Sequence, residues 1–536
     1  MKINIRNTFY VGLIFFSISL FWQTYDLLIA RTLIDKFGLN QLWSGVVMAF
    51  DNIMAVILLP LFGSLSDRSN SKRGRRTPYI VVGTLVAAFA FMALSYTDAQ
   101  QTLKIQSTDI IEGHYDIAFN EDANPKDIAH WQFVIEMMTE EREQSYLNRD
   151  ISRTKFLTWE NEIKNEMNNI LDNASGELQN RDLAMIRELY YTYLSDRAWE
   201  VTSTDTLNLI IFSTFLFIAL VAMATYRSSA VALMPDITIK PLRSKANAII
   251  SLMGAFGGIL AFYVIMLSGL NRHAYDNHVL VYIVIGVTMI FVLGIFLWKV
   301  NEPKLVSQKL ELEQKLNVNG SSIEIVDPKM NTLKRRISLY FLLATIFFVF
   351  MGYNAVMSKI SDYMPKVLNL DFFAYQFIIA QVVVVLMIIP VGILSMYLGR
   401  KKTILLGTLL LAIPLGSVFF IQENQPALTA AIVAVAGIGW SMISINTYVM
   451  VVELARGLDV GRYTGYYYSA SMSAQIITPI LSGYIMLTHD LKRLTLFPYA
   501  TLFVLLAFVT MLFVKQGDAK KIKKSLLEVI DSEGEL

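Results

Sequence analysis

Twelve apolar stretches recur along this chain, and each is long enough to cross a lipid bilayer as a helix, which takes about 20 residues. Hydrophobic residues fill 54% of the 536 positions and charged residues only 17%, whereas soluble proteins average about 25% charged. The sequence therefore predicts an all-α polytopic membrane protein. The predicted spans are 8–30, 42–65, 78–97, 206–234, 246–270, 278–298, 337–357, 372–398, 403–421, 427–452, 463–487 and 494–514.

Basic residues concentrate in the loops on one side of these spans. Lys and Arg in short loops stay on the cytoplasmic side of a membrane, and an even number of spans puts both termini there. The prediction is an integral protein of the plasma (inner) membrane with both termini cytoplasmic, including a basic tail over 515–536. The basic positions are Arg75, Arg76, Lys240, Arg243, Lys334 to Arg336, Arg400 to Lys402 and the tail lysines from Lys515 to Lys524.

The segment 98–205, between spans 3 and 4, is polar and acidic. It holds 10 basic and 22 acidic residues, a net charge of −12 against +2 for the whole chain. Apolar residues recur in it at spacings of three and four, which is typical of amphipathic helices. We therefore predict a helical extracellular insertion rather than a flexible loop. The two apolar stripes are Phe156, Trp159, Ile163, Met167 and Ile170, then Leu183, Ile186, Tyr190 and Tyr193.

An internal repeat divides the rest of the chain into two halves. The loop after span 2 is echoed after span 8, and Asp236 after span 4 is echoed by Glu453 after span 10. The predicted halves of six helices are 1–97 with 206–298, and 337–514, and a cytoplasmic linker joins them over 299–336. The repeated positions are Pro60, Gly63, Ser66 and 74–76, matched by Pro390, Gly392, Ser395 and 399–401, with Met396 in place of Asp67.

The stretch from Pro60 to Ile80, PLFGSLSDRSNSKRGRRTPYI, carries a resemblance to a known family. Its fixed positions resemble the loop between helices 2 and 3 of the major facilitator superfamily, in particular the glycoside–pentoside–hexuronide:cation symporters and the sucrose transporters. The stretch from Ala232 to Asn247 resembles the helix 4–5 loop of the same relatives. The resemblance implies a twelve-helix fold and secondary transport of a sugar or glycoside by alternating access, with the substrate site near the midplane between the halves.

The same resemblance implies a cytoplasmic gate at these loops. Asp67 ends span 2 near the start of span 11, where the positive end of a helix dipole would stabilise the carboxylate by about 0.3–1 kcal/mol. That contact would hold the gate shut and break when the halves rock. The alternative is that Asp67 forms an ion pair with Arg68 or Arg75 that has no role in gating. The predicted gate residues are Asp67, Arg68, Arg75, Arg76, Asp236 and Arg243.

Polar residues within spans are costly and usually functional. Several fall at a similar depth, and together they offer the amides and carboxylates that bond sugar hydroxyls and an aromatic face for the sugar ring. Each single amide could instead bridge two helices, and Asp26 could pair with Arg31. Arg227 could either snorkel to the cytoplasm or line the cavity. The predicted substrate-binding residues are Gln23, Asp26, Asp51, Asn52, Asn354, Gln381, Trp440 and Gln475.

Proton coupling, or uncoupled facilitation, is predicted rather than sodium coupling. The positions that are acidic in melibiose-type relatives are Ala55, Leu59 and Arg227 here, and an arginine repels a cation. A proton needs only one buried carboxylate, for which Asp51 is the first candidate and Asp26 the second.

Two rival functions stay open at this point. One is transport of a lipid, lysolipid or other amphiphile, which some relatives of the family perform. The other is a non-transporting sensor that uses 98–205 as its receptor domain. An enzyme is not expected: the chain has no cysteine, His114, His130, His273 and His489 fall outside the predicted spans and His278 is only the first residue of one, and no metal-ligand motif is present. No cofactor and no nucleic-acid partner are predicted, and the sequence does not identify the sugar.

Overall fold

The computed structural model describes residues 5–69, 71–106, 124–174, 176–238, 243–268, 277–315, 332–370, 373–421, 424–454, 460–489 and 491–515. All regular structure in these ranges is helical. The first helices are α1 (Ile5–Arg31), which one π-helical turn extends over Thr32–Lys36, then α2 (Gln41–Asp67) and α3 (Thr77–Gln106). The insertion contributes α4 (Ile128–Leu147), α5 (Arg153–Trp159), a π turn (Glu160–Lys164), α6 (Asn165–Asn173) and α7 (Asn180–Thr204).

The chain then returns to the membrane body. It forms α8 (Leu207–Ile237), α9 (Arg243–Leu267), α10 (Val279–Lys299) and a linker helix, α11 (Glu302–Lys315). The second half consists of α12 (Thr332–Val367), α13 (Phe373–Leu398), α14 (Arg400–Val418), α15 (Pro426–Glu453), α16 (Val460–Thr488), a 3₁₀ turn (Lys492–Thr495) and α17 (Leu496–Leu512).

Eleven helices in the described ranges are long and apolar enough to cross a membrane, so the chain is an integral membrane protein. The remaining body helix, α13, has 26 residues, and its part Phe373–Ile388 is apolar but shorter than a membrane crossing. The count of twelve spans therefore stays a prediction, as does the side of the membrane on which each loop lies.

Helix pairing builds two bundles in the membrane body. In the first half α1 packs on α9 and α3 on α8, and in the second half α14 packs on α15 and α12 on α17. Two long contacts join the bundles, α2 with α16 and α9 with α13. In the first of these the backbones nearly touch: a Cβ atom placed on Gly45 would lie 2.1 Å from the carbonyl oxygen of Pro479. Glycine is required at this crossing.

The insertion has a hydrophobic core of its own. Trp131, Met138 and Met167 are fully buried within it, and the two apolar stripes face this core, with only Phe156 and Ile170 partly exposed. The predicted amphipathic helices are therefore confirmed.

We call the end of the membrane body that carries this domain the insertion end, and the end with the loop between α2 and α3 the basic end.

The boundary of the insertion differs from the prediction. The sequence places the end of span 3 at residue 97 because Asp98 is charged, yet α3 continues to Gln106 with Asp98 buried. Lys36 explains this, because its Nζ lies 2.7 Å from Asp98 Oδ1 and 2.9 Å from Thr102 Oγ1. A paired and hydrogen-bonded charge can be buried where an isolated one cannot.

Candidate functional site

A polar cavity of about 380 Å³ lies between the two halves. We call it the polar chamber. The first half lines it from α1, α2 and α8, and the second half from α12 and α16. Six of the eight predicted substrate-binding residues line it: Gln23, Asp26, Asp51, Asn52, Asn354 and Gln475. The structure thus brings together side chains from positions that are 452 residues apart in the chain, from Gln23 to Gln475.

The two carboxylates of the polar chamber differ in their partners. Asp51 Oδ1 accepts a hydrogen bond of 2.6 Å from the amide of its neighbour Asn52. Asp26 has no ion-pair partner within the described part of the chain, and Arg31 instead pairs with Asp35 at 3.4 Å. The suggested pairing of Asp26 with Arg31 is therefore wrong. Arg227 lines the same chamber as both acids. The structure therefore agrees with the prediction that Arg227 lines the cavity rather than with the one that it snorkels to the cytoplasm.

Two buried polar atoms in the wall of the polar chamber lack a hydrogen-bond partner among the described residues. They are Oε1 of Gln23 and Nε1 of Trp22. An unpaired acceptor and an unpaired donor shielded from water are costly unless a ligand or water bonds them, so the chamber is suited to a ligand with hydroxyl groups. The sequence missed Trp22, since a tryptophan within a span is as readily explained by contact with lipid.

An apolar chamber of about 290 Å³ adjoins the polar one, and both share Gln23 and Met357. The other two predicted residues, Gln381 and Trp440, line this second chamber rather than the first. The ring of Trp440 stacks on that of Tyr353 with centroids 3.6 Å apart and an interplanar angle of 7°. The aromatic surface predicted for the site is therefore a paired wall that includes Tyr353, which the sequence did not single out.

A buried network of charges closes the insertion end of the body, and we call it the lock. Arg493 Nε is 2.7 Å from Asp362 Oδ2, and Arg493 Nη1 is 2.7 Å from Glu188 Oε1 on the insertion. Lys366 bridges Asp362, at 2.6 Å, to Asp35 of the first half. The lock therefore ties both halves and the insertion together.

Two further hydrogen bonds connect the halves at the lock, one from a side-chain amide and one to a backbone carbonyl. Gln41 at the start of α2 donates to Asp362 at 2.7 Å, and Lys359 donates to the carbonyl of Gln41 at 2.9 Å. The sequence does not reveal this network, because the predicted span 7 ends at residue 357, before Asp362 and Lys366. The spacing of these two residues by four, on one face of a continuing helix, was the available signal.

The predicted gate residues lie together at the basic end but make different contacts from those predicted. Asp67 pairs with Arg76, whose Nε is 2.9 Å from Asp236. Its side chain stays 59% exposed, and neither Arg68 nor Arg75, both exposed, is its ion-pair partner. The side chain of Arg243 lies outside the described residues. The gate role of these residues stays a prediction.

The linker contributes one residue to this cluster that the sequence did not reveal. Glu302, at the first position of α11, is buried and accepts hydrogen bonds from the backbone N–H groups of Arg75, Arg76 and Thr77 at 2.8–3.1 Å. A carboxylate at a helix N-terminus satisfies otherwise unpaired donors and is favoured by the helix dipole. In the second half, Arg400 forms a similar ion pair with Glu453.

Two family models match this chain. The model described as Major Facilitator Superfamily matches residues 342–529, and the model described as MFS/sugar transport protein matches residues 11–105. Among curated proteins, a sucrose transport protein of Arabidopsis thaliana is 30% identical over 63 residues, and a general alpha-glucoside permease of Schizosaccharomyces pombe is 29% identical over 59 residues. These matches cover 12% and 11% of this chain and the same shares of the two relatives.

Solved structures share the fold over nearly the whole chain. The xylose transporter of E. coli in its inward open conformation aligns with a TM-score of 0.52 and 15% identity, covering 98% of each chain. A D-xylose-proton symporter gives 0.55 and 14%, covering 96% of this chain and all of its own. A bacterial homologue of the iron transporter ferroportin in an inward-facing state gives 0.57 and 11%. At such identities the likeness shows the fold alone.

Proposed function

We propose that this chain, which belongs to the major facilitator superfamily, is a secondary transporter that moves a sugar or glycoside across the membrane by alternating access. The observation that carries the proposal is the polar chamber between the halves, with its carboxylates, amides and unpaired polar atoms. The match to a sugar transport family model over 11–105 and the relatives that carry sucrose or alpha-glucosides support the substrate class.

Sugar recognition would follow from the chemistry of the chamber walls. A saccharide hydroxyl both donates and accepts, so one hydroxyl can bond Gln23 Oε1 as donor while another accepts from Trp22 Nε1. Asp26 and the side-chain oxygen of Asn354 offer further acceptors, and one of the two N–H groups of Asn354 is used in a 2.8 Å bond to the carbonyl of Phe350. The Tyr353–Trp440 wall would cover an apolar face of the ligand.

The transport cycle would open the insertion end by breaking the lock, and the basic end by releasing the gate. In the proposed topology there are twelve spans, the basic end and both termini are cytoplasmic, and the insertion is extracellular. The concentration of Lys and Arg at the basic end supports this orientation. The structure would then be a conformer closed to the outside, since the lock is intact in it.

A proton is the proposed coupling ion. Asp51 and Asp26 share the polar chamber with Arg227, so protonation of one carboxylate changes the charge balance at the place where the substrate binds. A sodium ion would have to enter the same chamber against the charge of Arg227. Asp51 is the first candidate and Asp26 the second.

Ligand protection tests the proposed substrate class. The chain has no cysteine, so Ser19→Cys, which lies in the wall of the polar chamber, gives a single reactive thiol. A panel of mono- and disaccharides, with sucrose and maltose included, is added before a maleimide. We expect at least one saccharide to slow labelling of Ser19→Cys and not of a control thiol at Ser307→Cys on the linker. If no saccharide protects while the protein stays folded, the sugar proposal fails.

Transport of an amphiphile is the second candidate, and the apolar chamber favours it. That chamber is lined by Phe262, Phe377 and Leu411 among others and joins the polar chamber at Gln23, so a molecule with a polar head and an apolar tail could span both. Protection of Ser19→Cys by a lysophospholipid but by no free saccharide would support this candidate over the first.

A further inference from the structure

A separate cavity of about 310 Å³ lies at the basic end of the second half. It opens between the first turns of α12 and the first turns of α16, and we call it the arginine cavity. None of its residues takes part in the polar chamber, the gate or the lock. Its lining consists of two arginines, three tyrosines and two leucines: Arg335, Arg336, Leu339, Tyr340, Leu343, Tyr463 and Tyr466.

Arg335 enters this cavity with unsatisfied donors. Its Nε and Nη1 atoms are both buried, and neither has an acceptor among the described residues. Arg336 beside it is exposed and has no ion-pair partner there either. A guanidinium N–H group that is shielded from water and left without an acceptor is costly, and no described carboxylate faces this pair. The cavity is therefore complementary to an anion that the described residues do not supply.

The surroundings of the arginine cavity indicate what carries the anion. Leu333, Ile337 and Tyr340 follow one another at spacings of four and three along α12, and all three are exposed. Residues so spaced form one face of a helix, and on a membrane-spanning helix such an apolar face contacts acyl chains. A tyrosine at the level of the head groups is common at membrane interfaces.

We propose that the arginine cavity binds the phosphate of a membrane phospholipid, with the acyl chains along the exposed face of α12. The planar fork of arginine bonds a phosphate in bidentate fashion, and two adjacent guanidinium groups balance its charge. Anionic lipids are attracted to basic clusters at one leaflet of the membrane. The site would hold a lipid at the junction of α12 and α16, helices that belong to the moving parts of the proposed transport cycle.

Native mass spectrometry of the full-length protein in detergent, titrated with phosphatidic acid, tests this proposal. We expect one lipid to bind the unaltered protein at saturation. Arg335→Gln should weaken binding at least about tenfold, as the loss of a charged bidentate contact predicts. Arg335→Lys keeps the charge but not the fork, so it should bind with intermediate affinity, and it gives a second variant if Arg335→Gln does not fold.

Arg73→Gln is the matched control, because it removes an exposed arginine from the same end of the body. It should change the affinity by no more than about twofold, the usual effect of an exposed charge. Equal weakening by Arg73→Gln and Arg335→Gln would reduce the binding to diffuse charge attraction and overturn the proposal. So would equal binding of diacylglycerol, which has no phosphate. Displacement of the lipid by an equal concentration of inorganic phosphate would also overturn it, in favour of a soluble phosphate compound.

Discussion

Glu188 is the insertion's contribution to the lock, and replacing it should loosen the closed insertion end. Its carboxylate lies 2.7 Å from Arg493, which Asp362 holds at the same distance from the other side. Glu188→Gln keeps the volume of the side chain but removes one of the two negative charges on this arginine. We therefore expect the equilibrium to shift toward conformers that are open at the insertion end.

The size of the shift follows from the contacts that remain. Arg493 keeps Asp362 in the variant, so the penalty is smaller than the roughly 3–5 kcal/mol of leaving a buried charge unpaired. A hydrogen bond to a charged group contributes about 1.5–3 kcal/mol, and the amide of glutamine retains part of it. We therefore expect the substitution to destabilise the closed conformer by about 1.4 kcal/mol, which is a tenfold change in the ratio of open to closed conformers.

The absence of cysteine makes this shift measurable. Ser44 is fully buried, one turn along α2 from Gln41 in the lock, so Ser44→Cys reports opening of the insertion end to a membrane-impermeant maleimide. Adding Glu188→Gln should raise its labelling rate about tenfold, since the rate follows the open population. Glu143→Gln, which neutralises an exposed acid of the insertion, should leave the rate unchanged. Equal rates in all three proteins would refute the idea that the insertion holds the lock closed.

Three further variants test other parts of the account. Asp51→Asn should abolish proton-driven accumulation and keep exchange down a gradient, as measured in proteoliposomes; retained accumulation would remove Asp51 as the coupling group. Asp67→Asn should lower initial uptake rates at equal expression while the melting temperature changes little, because the side chain is 59% exposed; an unchanged rate would remove its gate role. Glu302→Ala should destabilise the protein by about 2 kcal/mol, because the hydrogen bonds of Glu302 to the start of α3 are lost, and this should lower the melting temperature in detergent. Glu311→Ala, on the exposed face of the same helix, is the control. Equal melting temperatures of the two variants would contradict the capping role of Glu302.

Six of the eight residues predicted for the substrate site line one chamber, and there is a physical reason why the sequence singles them out. A carboxylate or amide within a long apolar run is costly, so Asp26, Asp51 and Asn354 stand out without any knowledge of the fold. Depth along the helices then indicates which of them share a level. Depth does not give the direction in which a side chain points. The sequence therefore places Gln381 and Trp440 in the same site as the others, although they line the neighbouring apolar chamber.

The lock and the cap by Glu302 depend on partners that are distant in sequence. Asp362 and Arg493 are 131 positions apart, and Glu188 and Arg493 are 305 apart. Asp362 and Arg493 lie just outside predicted spans and Glu188 lies within the predicted insertion, and at such positions a solvated side chain is the simpler interpretation. The same reasoning ends the predicted span 3 at residue 97, before Asp98, because nothing in the local sequence shows that Lys36 neutralises this carboxylate. Whether a charged residue at such a position is buried depends on its ion-pair partner elsewhere in the fold, and a single sequence does not reveal that partner.

Gradient-driven uptake is the most direct test of whether this chain moves a saccharide together with protons. Proteoliposomes that contain the full-length protein are given labelled sucrose or maltose, with a proton gradient imposed in one set and a sodium gradient at fixed pH in another. We expect a saccharide to accumulate above its external concentration with the proton gradient alone, and this accumulation to be lost in Asp51→Asn. Uptake that follows sodium and ignores the proton gradient would contradict the proposed coupling, and the absence of uptake of any saccharide by a folded protein would contradict the account as a whole.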